Sequence, residues 1–280
     1  MRISHRIASA ASLVLYSSAA NAQQASQSPR AEFVVLDYMR VAPGKTVEYV
    51  RLEQQVFKPF HQQRVNNKQM VAWALYEVPF TADPHRDYDY VTVNVYDNMA
   101  AAEAPGMVAD FLRLHPGKAG TTLLTQTYAA RQIVRSELWR LVDQTAPRTA
   151  ADASGPPSKY IIVDFMQSKP GVDYVAVERE LWKPVHQDRV KSGALMSWAL
   201  YELVLPGGTS YPYDYATVNA MSSFADLNVM YPDDLFKRVL PNISIADLGT
   251  RTEPAATSRG TSCGFSSTRL ADTQLGNHIL

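Results

Sequence analysis

Short apolar runs rich in β-branched and aromatic residues recur along the chain and predict β-strands. In the first half these runs are FVVLDYM (33–39), WALYEV (73–78), YVTVNVY (90–96) and ELWRLVD (137–143). Apolar residues at helical spacing predict helices over 49–57, 100–114 and 121–134. The predicted order is therefore β-α-β-β-α-β, the ferredoxin-like split βαβ arrangement.

The same order begins again in the second half, with YIIVDFM (160–166) as a strand and 174–182 as a helix. A shift of 125 residues without gaps makes 20 of the 46 positions from Tyr49 to Asn94 identical to positions 174–219. A repeat of this length indicates a duplicated domain rather than a solenoid. We therefore predict an α+β protein with two tandem ferredoxin-like units, at 31–143 and 159–249. A Pro- and Ala-rich linker at 144–158 joins them.

Two such units with matching sheets can pack face to face. In this order of elements the chain resembles the dimeric α+β barrel superfamily, with both protomers fused into an intramolecular pseudo-dimeric barrel. That superfamily includes cofactor-independent monooxygenases of antibiotic biosynthesis, haem-degrading enzymes, and NIPSNAP and EthD-type domains. The resemblance covers nearly all of the chain after the first 30 residues. It brings no family-specific catalytic motif, so it assigns no catalytic residue.

The two halves stop matching after about Leu248. Residues 250–280 are rich in Ser, Thr, Gly and Arg, show no strand alternation, and are predicted to be disordered. This tail is either a genuine divergence or the product of a reading frame shifted near Thr252. A second unit without its fourth strand would leave a sheet edge open for self-association.

The first 22 residues have the pattern of a secretory signal peptide, with Arg2 and Arg6, an apolar run, and the small-x-small sequence ending at Ala22. We therefore expect a periplasmic or secreted protein. The single cysteine, Cys263, cannot form an internal disulfide. The chain has 27 basic and 27 acidic residues, so it lacks the basic surplus that a nucleic-acid partner requires. No other segment is apolar enough to span a membrane.

The third predicted strand has one polar and one apolar face in each half. The polar face is identical in both halves: Tyr88, Tyr90, Thr92 and Asn94 recur as Tyr213, Tyr215, Thr217 and Asn219. The valine face, by contrast, has changed between the halves. We expect helices to cover the valine face and the polar face to line a ligand cavity inside the barrel. The alternative is that these polar groups hydrogen-bond across the interface between the units and enclose no ligand.

The octapeptide KPFHQQRV (58–65) recurs as KPVHQDRV (183–190) and carries the candidate chemistry. Its proline should kink or restart the helix. In one interpretation, His61 and His186 are general acids or bases tuned by nearby glutamates. In a second, each histidine binds a metal or haem iron, although the spacing typical of such sites is absent. In a third, the octapeptide is a structural hinge whose Lys and Arg pair with acids such as Glu53.

From these patterns we predict a small organic molecule as the partner, with no metal and no cofactor. The candidate catalytic residues are His61 and His186. The candidate ligand-binding residues are Glu53, Arg64, Trp73, Glu77, Tyr88, Tyr90, Asn94, Glu178, Arg189, Trp198, Glu202, Tyr213, Tyr215 and Asn219. The predicted function is an exported small-molecule-binding protein. The alternatives are a cofactor-independent monooxygenase or isomerase that uses the two histidines, and a structural or interaction protein with a filled barrel.

Overall fold

The computed structural model describes residues 32–81, 88–103, 107–148, 158–208, 210–229 and 231–271. The predicted signal peptide and most of the predicted linker lie outside these residues. The structure therefore leaves both as predictions.

The secondary structure of the described residues follows the predicted order closely. The first half contains β1 (Phe33–Val41), α1 (Thr46–Leu52), a π-helix (Glu53–Phe57), α2 (Lys58–Asn66), β2 (Ala72–Thr81), β3 (Tyr90–Tyr96), α3 (Met99–Glu103), α4 (Met107–Leu114), α5 (Lys118–Ala130) and β4 (Arg131–Gln144). The second half contains β5 (Tyr160–Ser168), α6 (Tyr174–Val177), a π-helix (Glu178–Trp182), α7 (Lys183–Ser192), β6 (Ser197–Leu205), β7 (Tyr215–Met221), a 3₁₀-helix (Phe224–Val229), α8 (Asp233–Val239), α9 (Ile245–Thr252) and β8 (Ala256–Ala271).

The eight strands form one closed barrel in the order β1-β3-β2-β8-β5-β7-β6-β4. All the pairings are antiparallel, and the two halves use the same register. Val35 lies opposite Asn94 in the β1–β3 pair, and Ile162 lies opposite Asn219 in the β5–β7 pair. The halves meet where β2 pairs with β8 and where β4 pairs with β6.

The expectation of a disordered tail after residue 250 is wrong for the described residues up to 271. Residues Ala256–Ala271 form β8, which pairs with β2 on one side and β5 on the other. β4 and β8 begin 125 residues apart, at Arg131 and Ala256, which is the same offset as between the matching sequence segments. A closed barrel has no free strand edge, so the predicted open edge is wrong as well.

The predicted assignment of the two strand faces is also wrong, because it is inverted. Val91, Val93 and Val95 of β3 belong to the apolar cluster inside the barrel. Trp73 and Tyr90 belong instead to the cluster between the sheet and the helices. Alternation along a strand identifies which side chains share a face, but here the apolar residues fill the barrel and the polar face lies under the helices.

Proline restarts the helix in both copies of the octapeptide, as predicted. Pro59 and Pro184 lie in the first turn of α2 and α7. Each is preceded by a π-helical turn, in which the Lys58 amide donates to the Glu53 carbonyl five residues back. Proline has no amide and its ring would crowd the carbonyl four residues back, so the wider turn relieves a local conflict. Each π-helix begins at a glutamate, Glu53 or Glu178.

Candidate binding clefts

The barrel interior is nearly filled, contrary to the predicted ligand cavity. Its remaining cavity measures about 60 Å³. Pockets for drug-sized ligands occupy roughly 300–1,000 Å³. Aliphatic and aromatic side chains from both halves line this space, among them Leu36, Val93, Trp139, Val163 and Val218. The interior is therefore a packed core.

Beside this cavity lies a polar cluster around Glu137, whose role was not predicted from the sequence. Glu137 is fully buried, and its carboxylate accepts hydrogen bonds from three tyrosine hydroxyls, one indole and one guanidinium. The donors are Tyr38 (2.8 Å), Tyr211 (2.5 Å), Tyr213 (2.6 Å), Trp139 Nε1 (3.0 Å) and Arg135 Nε (3.2 Å). The guanidinium of Arg135 also lies 3.7 Å from the centre of the Tyr38 ring. With five donors the carboxylate is saturated, so this cluster stabilises the barrel.

Most of the other buried polar side chains lie between the helices and the outer face of the sheet. We call these regions cleft 1 and cleft 2. Cleft 1 contains Asp37, Glu53, His61, Arg64, Trp73, Thr92 and Asn94. Cleft 2 contains Asp164, Glu178, His186, Arg189, Trp198, Asn219 and Tyr231. Ten of the sixteen residues predicted from the sequence fall in these clefts.

An aspartate at the sheet surface anchors each cleft. In cleft 1 the Asp37 carboxylate accepts from Asn94 Nδ2 (3.2 Å), Thr92 Oγ1 (3.4 Å) and Ser136 Oγ (2.5 Å). In cleft 2 Asp164 accepts from the Thr261 hydroxyl of β8. Burial raises the pKa of both carboxyl groups, and these hydroxyl donors act in the opposite direction.

The glutamates at the start of the π-helices are the groups best placed to titrate near neutral pH. Glu53 and Glu178 are 3% and 4% exposed. Burial raises the pKa of each to about 7. The Arg131 charge opposes this rise at Glu53, whereas at Glu178 the opposing influence is the Tyr174 hydroxyl. Neither carboxyl forms an ion pair with a described residue, so Glu53 is not the acid that pairs with the octapeptide cations. An octapeptide lysine does pair with an acid in the second half, where Lys183 lies 2.6 Å from Asp143.

Each histidine is stacked on the tryptophan of the neighbouring strand. The rings of His61 and Trp73 are 5.0 Å apart and nearly parallel, and those of His186 and Trp198 are 5.3 Å apart. Burial lowers the pKa of both histidines to about 3, with the adjacent arginine adding to the effect. Both imidazoles are therefore neutral at physiological pH and are weak bases. Their catalytic role stays a prediction.

The two cleft arginines have different surroundings. Arg64 lines a solvent-open pocket of about 330 Å³ and interacts with Tyr96. Arg189 is 2% exposed, and its Nη1 lies 3.2 Å from His186 Nδ1 and 3.5 Å from Asn219 Oδ1. Its Nε and Nη2 are buried and have no hydrogen-bond partner among the described residues. The indole nitrogen of Trp198 is also buried and unpartnered.

Several predicted site residues lie elsewhere. Glu77 is exposed, and Glu202 forms an ion pair with Arg140 at the surface. Tyr88 and Tyr213 come two residues before the start of β3 and β7, so they lie outside the alternation of these strands. Both side chains pack inside the barrel. Tyr90 and Tyr215 do face the helices, where they contact Tyr49 and Tyr174 edge-on.

Among the described residues, no group of three or more His, Cys, Asp or Glu is arranged to hold a metal ion. No helix in the same residues combines the length and apolar character needed to cross a bilayer.

The chain is similar in structure to proteins of very different sequence. A candidate monooxygenase from Lactobacillus acidophilus matches with a TM-score of 0.53 at 10% identity, over 86% of this chain and 96% of that chain. A candidate monooxygenase from Fusobacterium nucleatum matches with a TM-score of 0.51 at 9% identity, over 86% and 95%. A heme-binding protein from Thermus thermophilus has a TM-score of 0.44 at 9% identity, over 88% and 93%.

No protein-family model matches the chain, and no curated protein matches its sequence. The fold comparison rests on the first two structures, whose TM-scores exceed 0.5. The chain shares the α+β barrel fold of these two structures, and at this level of identity the similarity extends to the fold alone.

Proposed function

We propose that this protein binds a small organic molecule in a polar cleft beneath the helices, and that Glu53 or Glu178 accepts a proton from it. One observation carries the proposal: each cleft holds a buried glutamate whose pKa of about 7 makes it a base at neutral pH. Perturbed carboxyl groups among convergent polar side chains are typical of functional sites.

The local backbone supports this assignment. Both glutamates occupy the first position of a π-helical turn, and such turns are frequent at functional sites. A tryptophan stacked on a neutral histidine supplies a flat apolar wall next to the polar groups. A molecule with an aromatic ring and one acidic C–H or O–H group matches this combination of surfaces.

Proton removal is the first step shared by a cofactor-independent isomerase and a cofactor-independent monooxygenase. In the isomerase, the proton returns to a different atom of the same substrate. In the monooxygenase, the resulting carbanion reacts with O₂. Two structurally similar proteins are described as candidate monooxygenases, so the experiment below also tests for the monooxygenase reaction.

The architecture we propose for this function is a fusion of two ferredoxin-like units that form an intramolecular pseudo-dimer. The matching registers of β1–β3 and β5–β7 support it. We further propose that the chain is exported and that the signal peptide is removed after Ala22. The N-terminal sequence of the protein recovered from its host would test the export proposal.

The test of the proposed chemistry is solvent exchange at a bound ligand. Native mass spectrometry of the protein from its own host first identifies any small molecule that co-purifies. Transfer into D₂O should then deuterate the acidic position of that molecule, as observed by NMR. Glu53→Gln with Glu178→Gln should retain the ligand, because glutamine matches a protonated glutamate in shape, but should abolish the exchange. Oxygen uptake under the same conditions distinguishes the monooxygenase from the isomerase.

A structural role is the second candidate, and the nearly filled barrel favours it. Two results together would support that role and contradict the proposed proton transfer: the purified protein carries no ligand, and the only effect of Glu53→Gln and Glu178→Gln is a higher free energy of unfolding.

A further inference from the structure

We propose that cleft 2 binds the carboxylate of a small organic acid through the free edge of the Arg189 guanidinium. The inference rests on the proposed function, and it specifies both the ligand class and the half of the protein that binds it.

The unpartnered atoms of Arg189 are the two that match a carboxylate. Nε and Nη2 point from the same side of the planar guanidinium and together make the side-on fork that donates two parallel hydrogen bonds. Both are buried without a partner in the part of the chain that the structure describes, while Nη1 is directed at His186 and Asn219. The side chain is therefore fixed by one nitrogen and leaves the fork free.

The electrostatic surroundings of Arg189 also call for an anion. Arginine remains protonated in proteins, and an unpaired buried cation is costly. Its described neighbours include no ion-paired carboxylate; Asp226 acts only from a greater distance. The Tyr231 ring lies 4.9 Å from the guanidinium carbon and offsets part of this cost. A bound carboxylate would supply the missing countercharge.

Two further features give the proposed site its shape. Trp198 Nε1 is a third buried donor without a partner, and its indole stacks on His186 beside Arg189. Tyr231 is 38% exposed and lies over the guanidinium, so its ring stands between Arg189 and the solvent.

Cleft 1 lacks these features because one residue of the repeat has changed. In β3, Tyr96 pairs with Phe33 of β1 and interacts with Arg64. The equivalent residue of β7, which pairs with Tyr160 of β5, is Met221. The thioether of Met221 cannot replace the phenol as a partner for a guanidinium. Arg64 also lines a pocket open to water, which satisfies the remaining donors. The loss of the tyrosine thus left Arg189 free.

The test compares two probes of equal size and different charge. Benzoate and benzamide are titrated by calorimetry into the full mature chain and into four variants. Benzoate should bind with one site per chain and at least ~10-fold more tightly than benzamide, as expected for hydrogen bonds to a charged group. Arg189→Gln should weaken benzoate binding ~10–100-fold. Arg189→Lys should lose most of the same affinity, because lysine keeps the charge but not the fork.

The remaining variants locate the site. Arg238→Gln changes an exposed arginine that is ion-paired with Asp188 of α7, and should bind benzoate like the unmodified protein. Loss of binding in Arg64→Gln but not in Arg189→Gln would place the site in cleft 1 and overturn the inference. Equal affinity of the unmodified protein for benzoate and benzamide would overturn it too. So would the absence of any benzoate binding by the unmodified protein, once thermal unfolding has shown that it is folded.

The proposed function and the carboxylate site can be disproved independently of each other. A neutral co-purified ligand that undergoes Glu-dependent exchange would preserve the proposed function and eliminate the carboxylate site. Benzoate binding at Arg189 without any exchange chemistry would do the reverse.

Discussion

The Thr261 hydroxyl donates a hydrogen bond to the Asp164 carboxylate across the β5–β8 pair. Ser136 does the same for Asp37 across the β1–β4 pair. The two hydroxyl residues are 125 positions apart, the spacing of the repeat. The strand whose sequence resembles a disordered tail therefore preserves an anchor of the second cleft.

Removal of β8 should open the barrel. A chain that ends at Ala255 leaves the edges of β2 and β5 unpaired, and unpaired edges associate with other chains. We expect this variant to dimerise or aggregate in size-exclusion chromatography. The control is a chain that ends at Ala271, which retains the whole strand and should elute like the complete protein. A monomeric, cooperatively folded protein ending at Ala255 would contradict the role of β8.

Replacement of the buried glutamates should change how stability depends on pH. The folded pKa of about 7 lies above the unfolded value of 4.5, so the folded state binds more protons between these limits. The contribution of each group to stability is therefore complete below pH 4.5 and is lost as pH rises to 7. Relative to the unmodified protein, Glu53→Gln and Glu178→Gln should gain up to about 3 kcal/mol each above pH 7. Urea unfolding at pH 5 and pH 8 measures the difference, with exposed Glu77→Gln as the control.

The histidines should act in the opposite direction. Their folded pKa of about 3 lies below the unfolded value of 6.5, so their contribution is present above pH 6.5 and is lost as pH falls toward 3. His186→Phe keeps the ring stacked on Trp198 and removes the titrating group. This variant should lose less stability than the unmodified protein between pH 7 and pH 4 in thermal unfolding. Identical acid sensitivity would show that His186 is not the residue responsible.

Arg189 and Arg64 should differ in their effect on the ligand-free protein. Arg189→Met removes a buried cation that lacks a carboxylate, and such replacements are often neutral or stabilising. Arg64→Met removes the interaction with Tyr96 and leaves the phenol buried. We therefore expect the unfolding temperature to stay level or rise for Arg189→Met and to fall for Arg64→Met. A larger loss for Arg189→Met would indicate that its contacts with His186 and Asn219 are mainly structural.

Glu137→Gln should be strongly destabilising. The substitution removes a charge that accepts five hydrogen bonds and leaves Arg135 without its anionic partner. By analogy with other broken buried ion pairs, the loss should be about 3 kcal/mol in urea unfolding. Tyr211→Phe removes only one of the donors and should cost about 1 kcal/mol. Equal effects of the two variants would contradict the central role of the carboxylate.

Sequence patterns identified the strands other than β8, and most of the helices, because each carries its own period of apolar residues. The polar cleft residues were found for a similar reason, since Asn94 and Asn219 stand out on a face that is identical in both halves. The side of the sheet on which that face lies was not predictable. Alternation is the same whichever face is covered by helices, and tertiary packing alone decides between them.

β8 was missed because its small residues serve contacts that are distant in sequence. A side chain at Gly264 would come within 3.2 Å of both Ile161 and Tyr76. Its counterpart in the other half is Trp139, which lines the same cavity. The centre of the barrel has room for one indole, so one half supplies it and the other half supplies the space. No local pattern in β8 records this complementarity.

The closure of the barrel by β8 also determines when the protein can fold. Ala72 of β2 pairs with Ala271 of β8, so that ladder joins residues about 200 positions apart in the sequence. Contacts of such long sequence separation slow folding, because the loop between them must be ordered first. During synthesis β2 has no partner on that side until Ala256–Ala271 have emerged. The four strands of the first half pair with one another and can form their sheet earlier, but the barrel can close only after β8 has been made.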